Sequence, residues 1–150
     1  MAKTRAWVMG LGMMVLAPSA MARVCAVSID STDQMTFSSK QITLAADCSE
    51  VELTLRHAGK LAVTAMGHNW VLTRTADYQP VAMAGMRGSL ADSYLPRNDA
   101  RVLAHTKVIG GGQSTRVRFS TRQLEKGGDY TFFCSFPGHF AMMKGKLVFG

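Results

Sequence analysis

Short alternating segments, each cut off by a breaker, constrain this chain more than any other feature. In VELTLR, Val51, Leu53 and Leu55 face one way while Glu52, Thr54 and Arg56 face the other, which is the period of a half-buried strand. Comparable runs lie at 24–29, 70–73, 102–109, 115–119, 130–134 and 146–149. Gly59, Gly110-Gly111-Gly112, Gly127-Gly128-Asp129 and Pro137-Gly138 separate them. The spacing predicts an all-β fold, a Greek-key β-sandwich rather than a βαβ protein. One stretch departs from it. Thr75 to Leu95 is rich in Ala and Met and too long for a hairpin. There Val81, Met83, Met86 and Leu90 form a helical stripe weakened by Gly85 and Gly88, so one short inserted helix is expected. No repeat or second domain is visible.

The first 22 residues, MAKTRAWVMGLGMMVLAPSAMA, do not share the pattern. Lys3 and Arg5 precede an uncharged run from Ala6 to Ala17, and Ala20-Met21-Ala22 offers a small-x-small cleavage site. These are the parts of an export signal. The run falls short of the roughly 20 apolar residues of a membrane span. A cleaved leader over 1–22 is therefore expected in preference to a retained anchor. Residues 23–150 would form a single periplasmic domain.

The mature chain sets the charge balance and the cysteine count. It carries 15 Lys and Arg against 10 Asp and Glu, a balance of +5. The bases are scattered and match no groove-reading motif, which argues against nucleic acid as a partner. Three cysteines, Cys25, Cys48 and Cys134, make an odd count that an exported protein has to account for. Cys25 and Cys48 lie in polar, turn-rich surroundings that suit a bridge in an oxidising compartment. Cys134 would then be an unpaired thiol unless a metal held it.

The segment FFCSFPGHFAMMKG answers that problem chemically. Cys134, His139 and Met143 follow one another at Cys-x4-His-x3-Met spacing, and Pro137-Gly138 folds the chain back between them. A thiolate, an imidazole and a weak thioether suit copper cycling between two oxidation states. Structural zinc prefers four strong Cys and His ligands. A Cys134–His139 nucleophile pair lacks a third group to orient the imidazole. A fourth ligand is needed, and His57, His68 and His105 are the candidates. His68, in MGHNW with Gly67 beside it, leads; His57 ends an amphipathic strand and suits the core, and His105 suits the surface.

The stretches IDSTDQMTF, MGHNWVL, HTKVIGGG and YTFFCSFPGHFAMMKGKLVF resemble the azurins, bacterial blue-copper proteins of the cupredoxin family, across nearly all of the mature chain. The resemblance implies a cupredoxin copper-binding domain over 23–150. Its ligands would be His68, Cys134 and His139, with Met143 rather than Met142 as weak axial ligand and the Gly67 carbonyl opposite. It also implies a Cys25–Cys48 disulfide, an Asn69 side chain tying its loop to the cysteine loop, a Phe136 N–H aimed at the Cys134 sulfur, and a core position for Trp70. An apolar docking patch is implied at Leu61, Met66, Met86, Phe136, Pro137, Gly138 and Ala141, around His139 as the electron exit. Redox partners such as c-type cytochromes or copper and amine-oxidising enzymes would dock there.

Two features depart from the commoner family pattern. Ala62 and Val63 replace a proline and a lysine often found before MGHN, and Ala58 follows His57 where some members have proline. None of the implied site residues supplies an acid, a base or an open coordination position, so the reading is of a one-electron carrier on one copper ion and not an enzyme. The competing reading is a periplasmic protein that sequesters or delivers copper, encouraged by 11 methionines, although Met1, Met9, Met13, Met14 and Met21 fall in the leader.

Overall fold

Residues 23–150 are described by the computed structural model, and the leader expected at 1–22 lies outside them. Nine strands form: β1 (Arg23–Thr32), β2 (Thr36–Phe37), β3 (Gln41–Leu44), β4 (Cys48–His57), β5 (Val71–Arg74), β6 (Ala104–His105), β7 (Ser114–Ser120), β8 (Tyr130–Phe133) and β9 (Lys144–Phe149). They make two sheets, ordered β2-β1-β4-β7 and β3-β9-β8-β5-β6. Because β3 leaves for the second sheet between β2 and β4, β1 and β4 come to lie parallel, as do β3 and β9. This is the expected sandwich of Greek-key type, with mixed sheets.

The alternation read in VELTLR holds. Val51, Leu53 and Leu55 turn into the core between the sheets and pack with Ile29, Leu72, Phe132, Leu147 and Phe149. Trp70 sits at the centre, its ring between Phe119 and Phe132 with centroids 5.9 and 6.1 Å away. β8 does not alternate. All four of its residues are buried, because Phe132 faces the sandwich core and Phe133 faces a second apolar cluster with Val71, Val81, Ala82 and Leu95. A strand covered on both faces has no polar side.

The inserted helix is present as expected, and four details of the elements differ. β2 and β3 were not anticipated; they are two and four residues long, too short to show a period. The run at 102–109 pairs regularly only at Ala104–His105. Its Leu103 and Thr106 N–H groups bond the Leu72 and Trp70 carbonyls, and the chain then bends so that Ile109 meets His68. The inserted helix, α2 (Thr75–Gly85), begins ahead of the apolar stripe and buries Val81, Ala82 and Gly85, while Met83 and Met86 are exposed. Small residues occupy the packed face because the following loop comes very close. A Cβ on Gly85 would lie 1.9 Å from the Tyr94 carbonyl oxygen. A single helical turn, α1 (Val63–Met66), precedes β5 and also went unanticipated. No helix among the described residues is long and apolar enough to cross a membrane.

Candidate metal centre

β8 ends at Phe133 and β9 begins at Lys144, and between them the chain closes a loop on itself. Cys134 N–H donates to Met143 O at 3.0 Å, His139 N–H to Phe136 O at 3.0 Å and Met143 N–H to His139 O at 2.8 Å. Gly138 makes the turn with φ of 84°, a left-handed conformation that favours glycine. Facing this loop is His68, whose backbone exchanges two hydrogen bonds with Ile109 at 2.9 and 2.8 Å. The result brings three donor atoms together. Cys134 Sγ lies 3.8 Å from His68 Nδ1 and 3.7 Å from His139 Nδ1, and the two nitrogens are 3.2 Å apart.

These separations can be compared with what a metal ion needs. Bonds of about 2.0–2.1 Å to nitrogen and about 2.3 Å to sulfur in a trigonal plane put nitrogens about 3.5 Å apart and sulfur about 3.8 Å from each. The observed triangle fits an ion at its centre. Protonation agrees. His68 Nε2 donates to the Thr32 carbonyl at 2.8 Å, so its Nδ1 carries a lone pair toward the sulfur. Burial holds the His68 imidazole down at about 4 against the Thr32 bond that raises it, and burial also lowers His139. Both rings are therefore neutral ligands at neutral pH. Burial pushes the Cys134 thiol up to about 12, while the backbone N–H groups of Asn69 and Phe136 pull the other way by pointing at the sulfur. A cation between the three atoms would reverse the effect of burial.

Several of the remaining predicted residues lie beside this triangle, and the others lie elsewhere in the sandwich. Met143 is fully buried whereas Met142 is 63% exposed. The Gly67 carbonyl lies 3.9 Å from Cys134 Sγ. Glycine is required there by crowding, since a Cβ would meet Val63 O at 2.5 Å, Val108 Cγ1 at 2.6 Å and Phe136 Cδ2 at 2.8 Å. Asn69 Oδ1 accepts the Ser135 N–H at 2.9 Å, and its Nδ2 donates to Ser135 Oγ at 2.8 Å. Cys25 and Cys48 form a disulfide. Leu61, Met86, Pro137, Gly138 and Ala141 are exposed and Met66 and Phe136 half-buried, while His139 itself is buried. His105 is on the surface, as expected.

His57 is not in the triangle but against it. Its ring stacks on His68 with centroids 4.4 Å apart, and its nitrogens are taken by Met66 O at 2.9 Å and Gly59 N–H at 3.0 Å. Ala58 N–H donates to Ser31 O at 2.8 Å, a bond that proline at this position could not make. Sequence reasoning missed Thr32, Ser93 and Ser135, and no local signal marks them, because each acts through its backbone or through one small hydroxyl.

Two sheets that hold one thiol and two neutral imidazoles at a shared end define a class, a β-sandwich protein with a mononuclear transition-metal site. Comparison with known proteins narrows it. Residues 23–150 match the family described as copper binding proteins, plastocyanin/azurin family. The azurin of Bordetella pertussis is 53% identical over 127 residues, covering 85% of each chain. That of Pseudomonas fluorescens biotype C is 50% identical over 124 residues, covering 83% of this chain and 97% of its own. The structure of azurin iso-2 from Methylomonas sp. strain J superposes with a TM-score of 0.81 at 41% identity, covering 84% of this chain and 98% of that one. The chain belongs to the plastocyanin/azurin family of copper-binding proteins. With its Cys134, His68 and His139 cluster, it is a blue-copper electron-transfer protein and not an enzyme.

Proposed function

We propose that this protein is a periplasmic one-electron shuttle holding a single copper ion on His68, Cys134 and His139. Met143 would add a weak thioether donor and the Gly67 carbonyl a weaker oxygen donor beside it. The observation that carries the proposal is the triangle of donor atoms, with separations of 3.2, 3.7 and 3.8 Å among groups that are all buried. When bound, copper supplies the Cu(I)/Cu(II) couple. The protein does the rest. Cys134 gives up its proton, and the Asn69 and Phe136 N–H groups temper the charge left on sulfur. The Thr32 carbonyl fixes the tautomer and angle of His68. Met143, pinned by backbone bonds to both Cys134 and His139, moves only with them.

Met143 rather than Met142 would be the thioether donor, because it is buried with the cluster while Met142 faces solvent. The Phe136 ring, 4.7 Å from that of His139, covers the site, and exposed Pro137, Gly138 and Ala141 surround the loop. With Leu61, Met66 and Met86 they make the apolar patch where a c-type cytochrome or a copper or amine-oxidising enzyme would dock briefly. Residues 1–22 serve as the cleaved export leader, and 23–150 as the one mature domain.

One observation favours copper delivery as the second reading. Met83-Ala84-Gly85-Met86 has Met-x-x-Met spacing, and both thioethers are exposed. Titration of the mature protein with Cu(II) separates the readings. A shuttle gives an intense blue charge-transfer band that saturates at one copper and vanishes in Cys134→Ser. Binding of several coppers without that band would transfer the weight to delivery.

A further inference from the structure

Ser93 and Tyr94, in the segment between α2 and β6, adopt the left-handed conformation side by side, with φ of 56° and 51°. Non-glycine residues are uncommon there, and two in succession persist only where the surroundings hold them. The surroundings in this case are the metal loop. Ser93 O accepts Ser135 Oγ–H at 2.7 Å and Asn69 Nδ2–H at 3.2 Å. The Tyr94 ring meets that of Phe136 edge-on, with centroids 5.3 Å apart at 74°. Phe136 in turn lies against His139. Two neighbouring residues thus hold two neighbouring residues, one by a carbonyl and one by a ring. On the far side, Gly85 leaves the space that the Tyr94 carbonyl occupies.

We propose that the Ser93–Tyr94 turn is a clamp on the metal loop, and that both are positioning residues for Cys134 and His139, acting through Ser135 and Phe136. The polar half of the clamp is a buried network. Asn69, Ser135 and Ser93 are all buried, and the Asn69 amide, the Ser135 N–H and the Ser135 hydroxyl each have an acceptor within it. Removing one hydroxyl leaves buried groups unpaired, which penalises any alternative loop position. The apolar half keeps water from the Phe136 side of His139. A segment that the sequence marks only as an inserted helix thereby limits how far the ligands can shift between oxidation states. This second consequence rests on the electron-carrier reading; the clamp itself does not.

The test compares Tyr94→Ala and Ser135→Ala with the conservative Tyr94→Phe and Ser135→Thr. In the metal-free protein, amide hydrogen exchange at Ser135 and His139 should quicken at least tenfold in both alanine variants. It should stay within about twofold of wild type in the conservative pair, with β1 and β4 amides unchanged throughout. In the copper-loaded protein, Tyr94→Ala should shift the Cu(II)/Cu(I) affinity ratio at least threefold toward Cu(II), read as a lower reduction potential, and Tyr94→Phe should not. If Tyr94→Ala fails to fold, Tyr94→Leu keeps apolar volume without the ring and carries the same comparison. Exchange that stays at wild-type rates, or quickens equally in every strand, would overturn the clamp. A wild type without a blue band would instead overturn the copper reading and leave the exchange result to decide the clamp.

Discussion

Cys134 is under two opposed demands, since it must be buried to be protected and ionised to bind a metal. Its thiol is pushed up to about 12 by burial, so the metal-free protein holds it protonated at neutral pH, while His68, at about 4, is already neutral. Copper uptake near pH 7 should therefore release about one proton, measurable by calorimetry in buffers of different ionisation enthalpy. Stability of the metal-free protein should depend on pH in a defined window. Below the ordinary histidine value of 6.5 the unfolded chain takes up a proton that folded His68 refuses until about 4, so stability falls as the pH drops through that range. Above the ordinary thiol value of 9.0 the unfolded chain loses a proton that folded Cys134 keeps until about 12, so stability falls again. Urea midpoints across pH should show a plateau between these limits; a midpoint that keeps rising toward pH 10 would contradict the buried thiol. Gly67 is a second residue-scale constraint. Gly67→Ala would press a methyl against Val63, Val108 and Phe136, and should destabilise by about 1–3 kcal/mol in urea unfolding and displace the blue band.

Among the elements, β1 and β4 matter most because they run parallel and therefore reach the metal end together. Ser31 pairs with His57 at that end, and Thr32 supplies the carbonyl that orients His68. Cys25 and Cys48 join the same strands at the opposite end. Thr32 lies seven steps along the strand from Cys25, about 23 Å at the usual rise. Replacing the disulfide with Cys25→Ala/Cys48→Ala should lower stability by about 3 kcal/mol in the chain-entropy account and leave the blue band where it was. A shifted band would mean that the strand pair transmits strain along its length. β8 is the other critical element, since Phe132 fills the sandwich core and Phe133 the cluster under α2. Phe132→Ala should cost about 3–5 kcal/mol, read by thermal or urea unfolding.

At the scale of the whole molecule, the two sheets pack through apolar side chains. The core, the disulfide and the backbone bonds that close the 134–143 loop are made by protein groups alone. Chelation should thus leave far-UV circular dichroism intact and lower Tm, because copper binds only the folded state; at a thousand times Kd the difference is about 4 kcal/mol. Collapse of the spectrum on chelation would show that the ion is needed to fold and that the site is not preorganised.

The sequence by itself determined the all-β class, the two faces of the strand at 51–56 and the candidate metal donors, whereas it showed the strand at 130–133 without showing that both its faces are covered. These depend on local period or on side chains whose chemistry is distinctive wherever they lie. It put His68 ahead of His57 and His105 without settling the choice, and the resemblance to the azurins set Cys134 apart from Cys25 and Cys48. Only the tertiary structure decided what surrounds them. The Thr32 carbonyl, the Asn69 N–H and the Ser93 carbonyl are backbone groups, identical in every residue, and their roles exist only because distant segments meet. Strands as short as β2, and a helix packed through Ala82 and Gly85 rather than its methionines, likewise have no periodic signature to read. Side-chain chemistry is written residue by residue, whereas the hydrogen bonds that aim it depend on where the backbone is carried.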